Sequence, residues 1–239
     1  MKILAIDCSA ISASVAITEQ GKVLSSSYTN IGLTHSQTLV PMVDTTLKQA
    51  QLQLQDIDLF AINAGPGSFT GVRIGVAALK GLTEFTENNC ISISTLESMA
   101  YNYAGVKDGI VCATMDARCN QVYTALFEVS GNTVRRLTED EAMLIPELGE
   151  KLKAYTNPIL LVGDGAALCY NALRETDPRL DLAPEHLRFQ NALGVAAAAA
   201  AKLEQGETPV SSETILPVYL RAPQAERELK KKQQSLNNK

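Results

Sequence analysis

Three short stretches carry the residue types from which phosphate or acid–base chemistry is built. Asp7-Cys8-Ser9 closes a compact apolar run that begins at Lys2. Gly65-Pro66-Gly67-Ser68-Phe69-Thr70-Gly71-Val72-Arg73-Ile74-Gly75 is glycine-rich, and Gly163-Asp164-Gly165 follows the apolar pair Leu161-Val162. An Asp at the C-terminal end of a buried strand stands where open α/β sheets place ligands, and Asp7 could there orient a metal-bound phosphate. The turn that follows reads Cys8-Ser9-Ala10-Ile11-Ser12, with no glycine to let backbone amides approach a phosphate. Asp7 therefore reads first as a residue that caps its own turn. Gly163 and Gly165 could admit an adenosine or a phosphate, but a plain strand-to-helix turn needs the same glycines and no ligand, and that reading is preferred.

The Gly65–Gly75 passage opens in two directions. A helix N-terminus after glycines can hold an anion, yet this is neither a Walker A loop nor a GxGxxG turn, since no Gly-Lys-Ser/Thr follows. Alternatively, Gly71 and Gly75, four apart and followed by Ala78 and Leu79, leave a flat helix face that another backbone can approach. Exposed, that face would be an association surface; buried, it would pack on a sheet, and the sequence does not choose. A metallopeptidase reading is poor, because His35 and His186 are the only histidines and neither has a second at ligand spacing. No Ser or Cys nucleophile has a recognisable triad. The five cysteines match no zinc or redox spacing and read as small buried thiols in a reducing compartment.

The elements that must position these residues follow from apolar spacing and turn signals. Lys2–Asp7 suits a central strand; Ala13–Ile17 and Lys22–Tyr28, parted by Gln20-Gly21, complete a meander. Thr34-His35-Ser36-Gln37 has capping-box form ahead of Leu39, Val40, Met42, Val43 and Leu47 at helical spacing, with Pro41 implying a kink or a later start. Leu59–Asn63 is a strand, the glycine-rich passage leads into a helix reaching about Thr86, and Ile91–Ser94 precedes a helix begun by Ser94-x-x-Glu97. Gly105 through Gly109 makes a boundary. Beyond it, Thr114-Met115-Asp116, Val122-Tyr123-Thr124 and Gly131 echo Ala5-Ile6-Asp7, Val15-Ala16-Ile17 and Gly21. Leu161–Gly165 likewise echoes Ile62–Gly67. Two echoes in one order predict a duplicated α/β unit. The predicted lobes are 1–105 and 106–189. The Ala-rich helix 190–206 should pack back on the first, and 222–239 should form a polar, flexible tail.

Composition bounds the function. Hydrophobic residues at 46% exclude extensive disorder, and a net charge of −5 disfavours a self-sufficient nucleic-acid binder. The first apolar run is too short for a signal peptide and no other is long enough to cross a bilayer, so a cytoplasmic protein is expected.

The string GPGSFTGVRIGVAALKG resembles the signature of the TsaB (YeaZ) family. The likeness extends through Asp7-Cys8-Ser9, His35-Ser36, Asp116-Ala117-Arg118, Leu144-Ile145-Pro146, Gly163-Asp164-Gly165 and Pro217-Val218-Tyr219-Leu220-Arg221. Cys8 departs from it, since the family commonly has Thr there. The resemblance implies an actin/Hsp70-like (ASKHA, RNase H-like) α/β fold with a shortened second lobe. It implies a non-catalytic subunit that supports a TsaD-type catalytic subunit, with a TsaE-type ATPase, in forming N6-threonylcarbamoyladenosine at adenosine 37 of tRNAs reading ANN codons. Carried over by position, the partner-facing residues would be His35, Leu39, Val43, Phe69, Gly71, Arg73, Val76 and Lys80. Contact with tRNA would be indirect, self-association as a homodimer is expected, and ATP or ADP would bind only within the complex. The alternatives weighed are an ATP-dependent kinase or ATPase of the same fold and, behind it, a glycoprotease-type peptidase.

Overall fold

A computed structural model describes residues 1–84 and 89–221, so the predicted tail lies outside the described residues. The run Ile3–Ile6 is apolar at every position, which suits a strand covered on both faces. It lies within β1 (Lys2–Asp7), at the centre of a mixed sheet. Gln20 and Gly21, both at positive φ, turn β2 (Ala13–Glu19) into β3 (Lys22–Thr29). After α1 (His35–Ala50), β4 (Leu59–Gly65) lies parallel to β1; after α2 (Phe69–Thr83), β5 (Asn89–Ser94) lies parallel to β4. The order across the sheet is β3-β2-β1-β4-β5. α3 (Thr95–Tyr101) follows, capped by the Ser94 hydroxyl accepting from the Glu97 amide.

The second half repeats this plan. β6 (Gly109–Asp116), β7 (Gln121–Ser130) and β8 (Thr133–Arg136) form the meander, and β9 (Glu141–Leu144) pairs with β7 beside it. α4 (Ile145–Leu152), β10 (Ile159–Val162), α5 (Ala166–Leu173) and β11 (Leu180–Leu182) follow, giving the order β11-β10-β6-β7-β8. Strand for strand this is the first sheet again. The shortening is measurable: α4 and α5 have 8 residues each, against 16 in α1 and 15 in α2. α6 (Glu185–Arg188) and α7 (Ala192–Glu204) close the half.

Alternation along β1 assigns its two faces. Leu4 and Ile6 join Leu39, Val43 and Leu47 of α1 and Val72, Val76 and Leu79 of α2 in one core, while Ile3 and Ala5 join Val195 and Ala199 of α7 in another. The second sheet divides likewise, with Ile110 and Cys112 toward α4 and α5, and Val111 and Ala113 in the core that holds Leu96 and Met99 of α3. The terminal helices are therefore exchanged: α7 covers the first sheet and α3 lies against the second. Small residues permit the crossing, for a Cβ at Gly194 would collide with the Ser98 carbonyl. Arg136 of β8 pairs with Glu97 of α3 at 3.4 Å and with Asp140, and Lys202 of α7 reaches the same Glu97 at 3.8 Å.

α1 departs from expectation at its start. It begins at His35, the Thr34 side chain makes no capping bond, and Pro41 lies inside the helix. The carbonyl that Pro41 cannot satisfy belongs to Gln37 on the exposed side, where water can replace the missing donor.

Candidate partner surface and interlobe cleft

A cleft of about 470 Å³ opens between the two sheets where β1, β4 and β6 end. Ser9, Gly67 and Thr70 line it from the first half; Asp116, Arg118 and Asp164 line it from the second. The residues after α7 run back to close one side. Val210 pairs with Cys90 at the sheet edge, Ile215 is buried in the first-half core, and the Val218 amide donates to the Ala64 carbonyl at 2.7 Å. Arg221 Nη1 then donates to the Ala117 carbonyl at 2.8 Å, so this strap joins the two lobes.

Asp7 does not face the cleft. It is fully buried, and its Oδ1 accepts from the Ser9 amide at 3.0 Å and the Ser9 hydroxyl at 2.7 Å. Burial pushes its carboxyl above the ordinary range, against which the Ser9 hydrogen bonds pull down. Its Oδ2, both polar atoms of the Asn63 side chain and His35 Nδ1 are buried without a well-aligned hydrogen bond among the described residues, although the Asn63 side chain lies close enough to the Asp7 carboxyl to help pull it down. His35 Nε2 lies 2.7 Å from the Ala10 carbonyl, which ties the start of α1 to the turn after β1. The turn after β1 is closed off by the turn after β4. The Ser68 amide donates to the Ser9 carbonyl at 2.7 Å, and a Cβ at Gly67 would strike that same oxygen.

The second-half turn is packed in the same way. Gly163, at φ +99°, lies against the Thr114 carbonyl, and a Cβ at Gly165 would come within 2.9 Å of the Met115 backbone. Both glycines serve backbone approach at the β6 end. Asp164 is held above the usual carboxylate range mainly by burial, with Asp116 adding to the rise and the Gln190 amide, donating at 2.9 Å, opposing it. Among the described residues no three His, Cys, Asp or Glu side chains converge.

On the outer side of α2 the strap makes a second arrangement. The Phe69 and Tyr219 rings stack with centroids 4.5 Å apart, and the Arg73 guanidinium lies 3.8 Å over the Phe69 ring. Arg73 Nε donates to the Tyr219 hydroxyl at 2.7 Å, and Lys80 Nζ donates to the Glu213 carbonyl at 3.0 Å.

A family model described as "TsaD: tRNA N6-adenosine threonylcarbamoyltransferase" matches residues 29–229. The chain is 38% identical over 168 residues to the tRNA threonylcarbamoyladenosine biosynthesis protein TsaB of Escherichia coli, covering 69% of this chain and 72% of that protein. It is 32% identical to the protein of the same name from Bacillus subtilis, covering 70% and 73%. The chain belongs to the TsaB family. A solved Pseudomonas aeruginosa structure, described as an uncharacterized protein with similarity to peptidase YEAZ, superposes with a TM-score of 0.80 at 29% identity. It covers 92% of this chain and 99% of that one. A ROK hexokinase from Thermus thermophilus, at TM-score 0.50 and 13% identity over 86% and 100% of the two chains, shares the actin-like fold alone.

Within this TsaB-family chain, the residues carried over as partner-facing fall into two groups. Leu39, Val43, Gly71 and Val76 are buried in the chain's own core and correct the expectation. The reason is the stripe each helix turns toward the sheet: Leu39, Val43 and Leu47 in α1, and Val72, Val76 and Leu79 in α2. Gly71 and Gly75 resolve the choice the sequence left open. A Cβ at Gly75 would stand 2.6 Å from Cys8 Sγ, and one at Gly71 would strike the Cys8 carbonyl, so the glycine face packs α2 on the end of β1. Arg73 is exposed, while His35, Phe69 and Lys80 are partly exposed, and Val40 and Ala77 lie on the same outer faces of α1 and α2. Tyr219 and Arg221 gained no role from the sequence, although an aromatic residue in an otherwise irregular closing segment was the available signal. Among the described residues no helix is long and apolar enough to cross a membrane.

Proposed function

We propose that this chain is a non-catalytic subunit that binds and supports a TsaD-type catalytic subunit in forming N6-threonylcarbamoyladenosine on tRNA. The observation that carries the reading is the sealing of Asp7. The acid that would orient a metal-bound phosphate is fully buried, caps Ser9, and is separated from the cleft by two turns bonded to each other. A fold kept while its site is closed points to a surface as its working part. The names of the Escherichia coli and Bacillus subtilis relatives place them in threonylcarbamoyladenosine biosynthesis, which supports the same assignment.

The partner face is the outer side of α1 and α2, centred on Phe69 and Arg73 with His35 and Lys80 at its edges. A subunit that binds the competent state of its partner more tightly raises that state's population, which is how a chain without catalytic groups can support catalysis. The same face, open in the free chain, accounts for a homodimer. A TsaE-type ATPase completes the assembly, tRNA contact is made through the complex, ATP or ADP binds only there, and the compartment is the cytoplasm. Light scattering after size exclusion, on the chain alone and mixed with the threonylcarbamoyltransferase of the same organism, tests this. A mixed complex that restores tRNA modification supports the reading; no complex, with or without nucleotide, refutes it.

A further inference from the structure

We propose that the strap Leu216–Arg221 is part of the partner surface, and that Arg73, held between Phe69 and Tyr219, docks a carboxylate side chain of a partner protein. This deepens the partner reading above and rests on it. Tyr219 stacks on Phe69 at 4.5 Å with 28° between the rings, and Arg73 lies 3.8 Å over Phe69 while donating through Nε to the Tyr219 hydroxyl. Neither Nη1 nor Nη2 of Arg73 has a partner among the described residues, and the side chain is exposed. The guanidinium is thus oriented while half of its fork is left for a bidentate acceptor. Much of the side-chain ordering that binding would demand has already occurred in the free chain.

The surroundings fit a protein contact. Leu216 and Val218, 67% and 48% exposed, stand in the strap on the N-terminal side of the exposed Tyr219, so the arginine is joined through Tyr219 to a segment that carries exposed apolar surface. Such a composition marks the few residues that dominate protein interfaces. The segment is anchored, because Ile215 is buried, Val218 bonds Ala64 and Arg221 bonds Ala117. A phosphate could also accept from the fork, but nucleic-acid contact needs clustered cations. Lys80, the other basic residue of α2, already gives its Nζ to the Glu213 carbonyl.

The test is calorimetric titration of the same organism's threonylcarbamoyltransferase into the full chain, wild type, Arg73→Lys and Tyr219→Phe, with tRNA titrated in parallel. Arg73→Lys keeps the charge and removes the fork; it should weaken protein binding on the order of 30-fold. Tyr219→Phe keeps the stack and frees Nε; it should weaken binding about fivefold. Both variants should melt at the wild-type temperature, since neither touches the core. Affinity of Arg73→Lys within about twofold of wild type would overturn the carboxylate docking and leave the partner reading intact. No binding by the wild-type chain would overturn both. Loss of tRNA affinity in Arg73→Lys, with protein affinity unchanged, would assign the fork to phosphate and overturn the proposal.

Discussion

Asp7 and Asp116 hold the same place in the two halves, each at the end of the first meander strand and each capping a backbone amide two residues on. Asp7 Oδ1 accepts from the Ser9 amide at 3.0 Å, and Asp116 Oδ1 from the Arg118 amide at 2.7 Å. Their surroundings diverge. Asp116 lines the cleft, whereas Asp7 is sealed among Cys8, Asn63 and His35.

That sealing gives a pH prediction. Burial raises the folded-state pKa of Asp7 above its ordinary value, so its contribution favours folding at low pH and is lost as pH rises through the raised value. At neutral pH the buried acid is therefore a cost. Asp7→Asn keeps an oxygen for both Ser9 donors and supplies an amide toward the partnerless Oδ2 position. It should stabilise the chain at neutral pH by about 1–3 kcal/mol, the cost of an unpartnered buried polar atom, with the gain shrinking as pH falls. Thermal melts of both proteins across pH check this; a gain that does not change with pH would remove Asp7 as its source.

The Cys8–Gly75 contact predicts a coupled pair. Gly75→Ala places a methyl 2.6 Å from Cys8 Sγ and 3.2 Å from Ile62 Cδ1, so it should destabilise by about 1–3 kcal/mol through overpacking. Adding Cys8→Ala removes the nearer atom. A double-mutant cycle by urea unfolding should show the double variant more stable than the sum of the singles, and additivity would place the strain elsewhere.

Val76→Glu separates core from surface. Because Val76 packs between α2 and the first sheet, a charge there should cost upwards of about 4 kcal/mol and abolish folding rather than only association. Arg73→Glu, on the exposed side, should leave the melting temperature within a degree or two (a surface change of about 0.5 kcal/mol or less) and still abolish the partner complex. Circular dichroism melts of the two variants distinguish them.

Arg136 ties β8 to α3 through Glu97 and holds Asp140, whose Oδ2 accepts from the Ser94 hydroxyl at 2.6 Å. Arg136→Met retains apolar bulk over Phe127 but leaves two largely buried carboxylates short of a partner. A loss of about 1–3 kcal/mol is expected. Unchanged stability at pH 7 would show the network to be idle.

Much of this architecture was legible in the sequence because it rests on local chemistry. The Asp-ended strand, Gly-turned meander and Gly-rich strand exit recur at Asp7, Gly21 and Gly65 and again at Asp116, Gly131 and Gly163, and the topology repeats in that order. What escaped depends on contacts between distant segments. The helical spacing of Leu39, Val43 and Val76 shows that these residues share a face but not whether a sheet or a partner covers it. The strap from Val210 to Arg221 has no periodicity, being held by a pair of backbone bonds to Cys90, by one bond each to Ala64 and Ala117, and by the Phe69–Tyr219 stack.

The exchange of α3 and α7 has a consequence for synthesis. The inner face of the first sheet, including Ile3, Ala5 and Ala16, is covered by a helix that ends at Glu204. A chain emerging from the ribosome N-terminus first must therefore carry that apolar face without this cover until the helix Ala192–Glu204 has been made. A severed N-terminal half should aggregate where the full chain does not, and nascent chains stalled before Ala192 should be captured by chaperones that release those stalled well beyond Glu204.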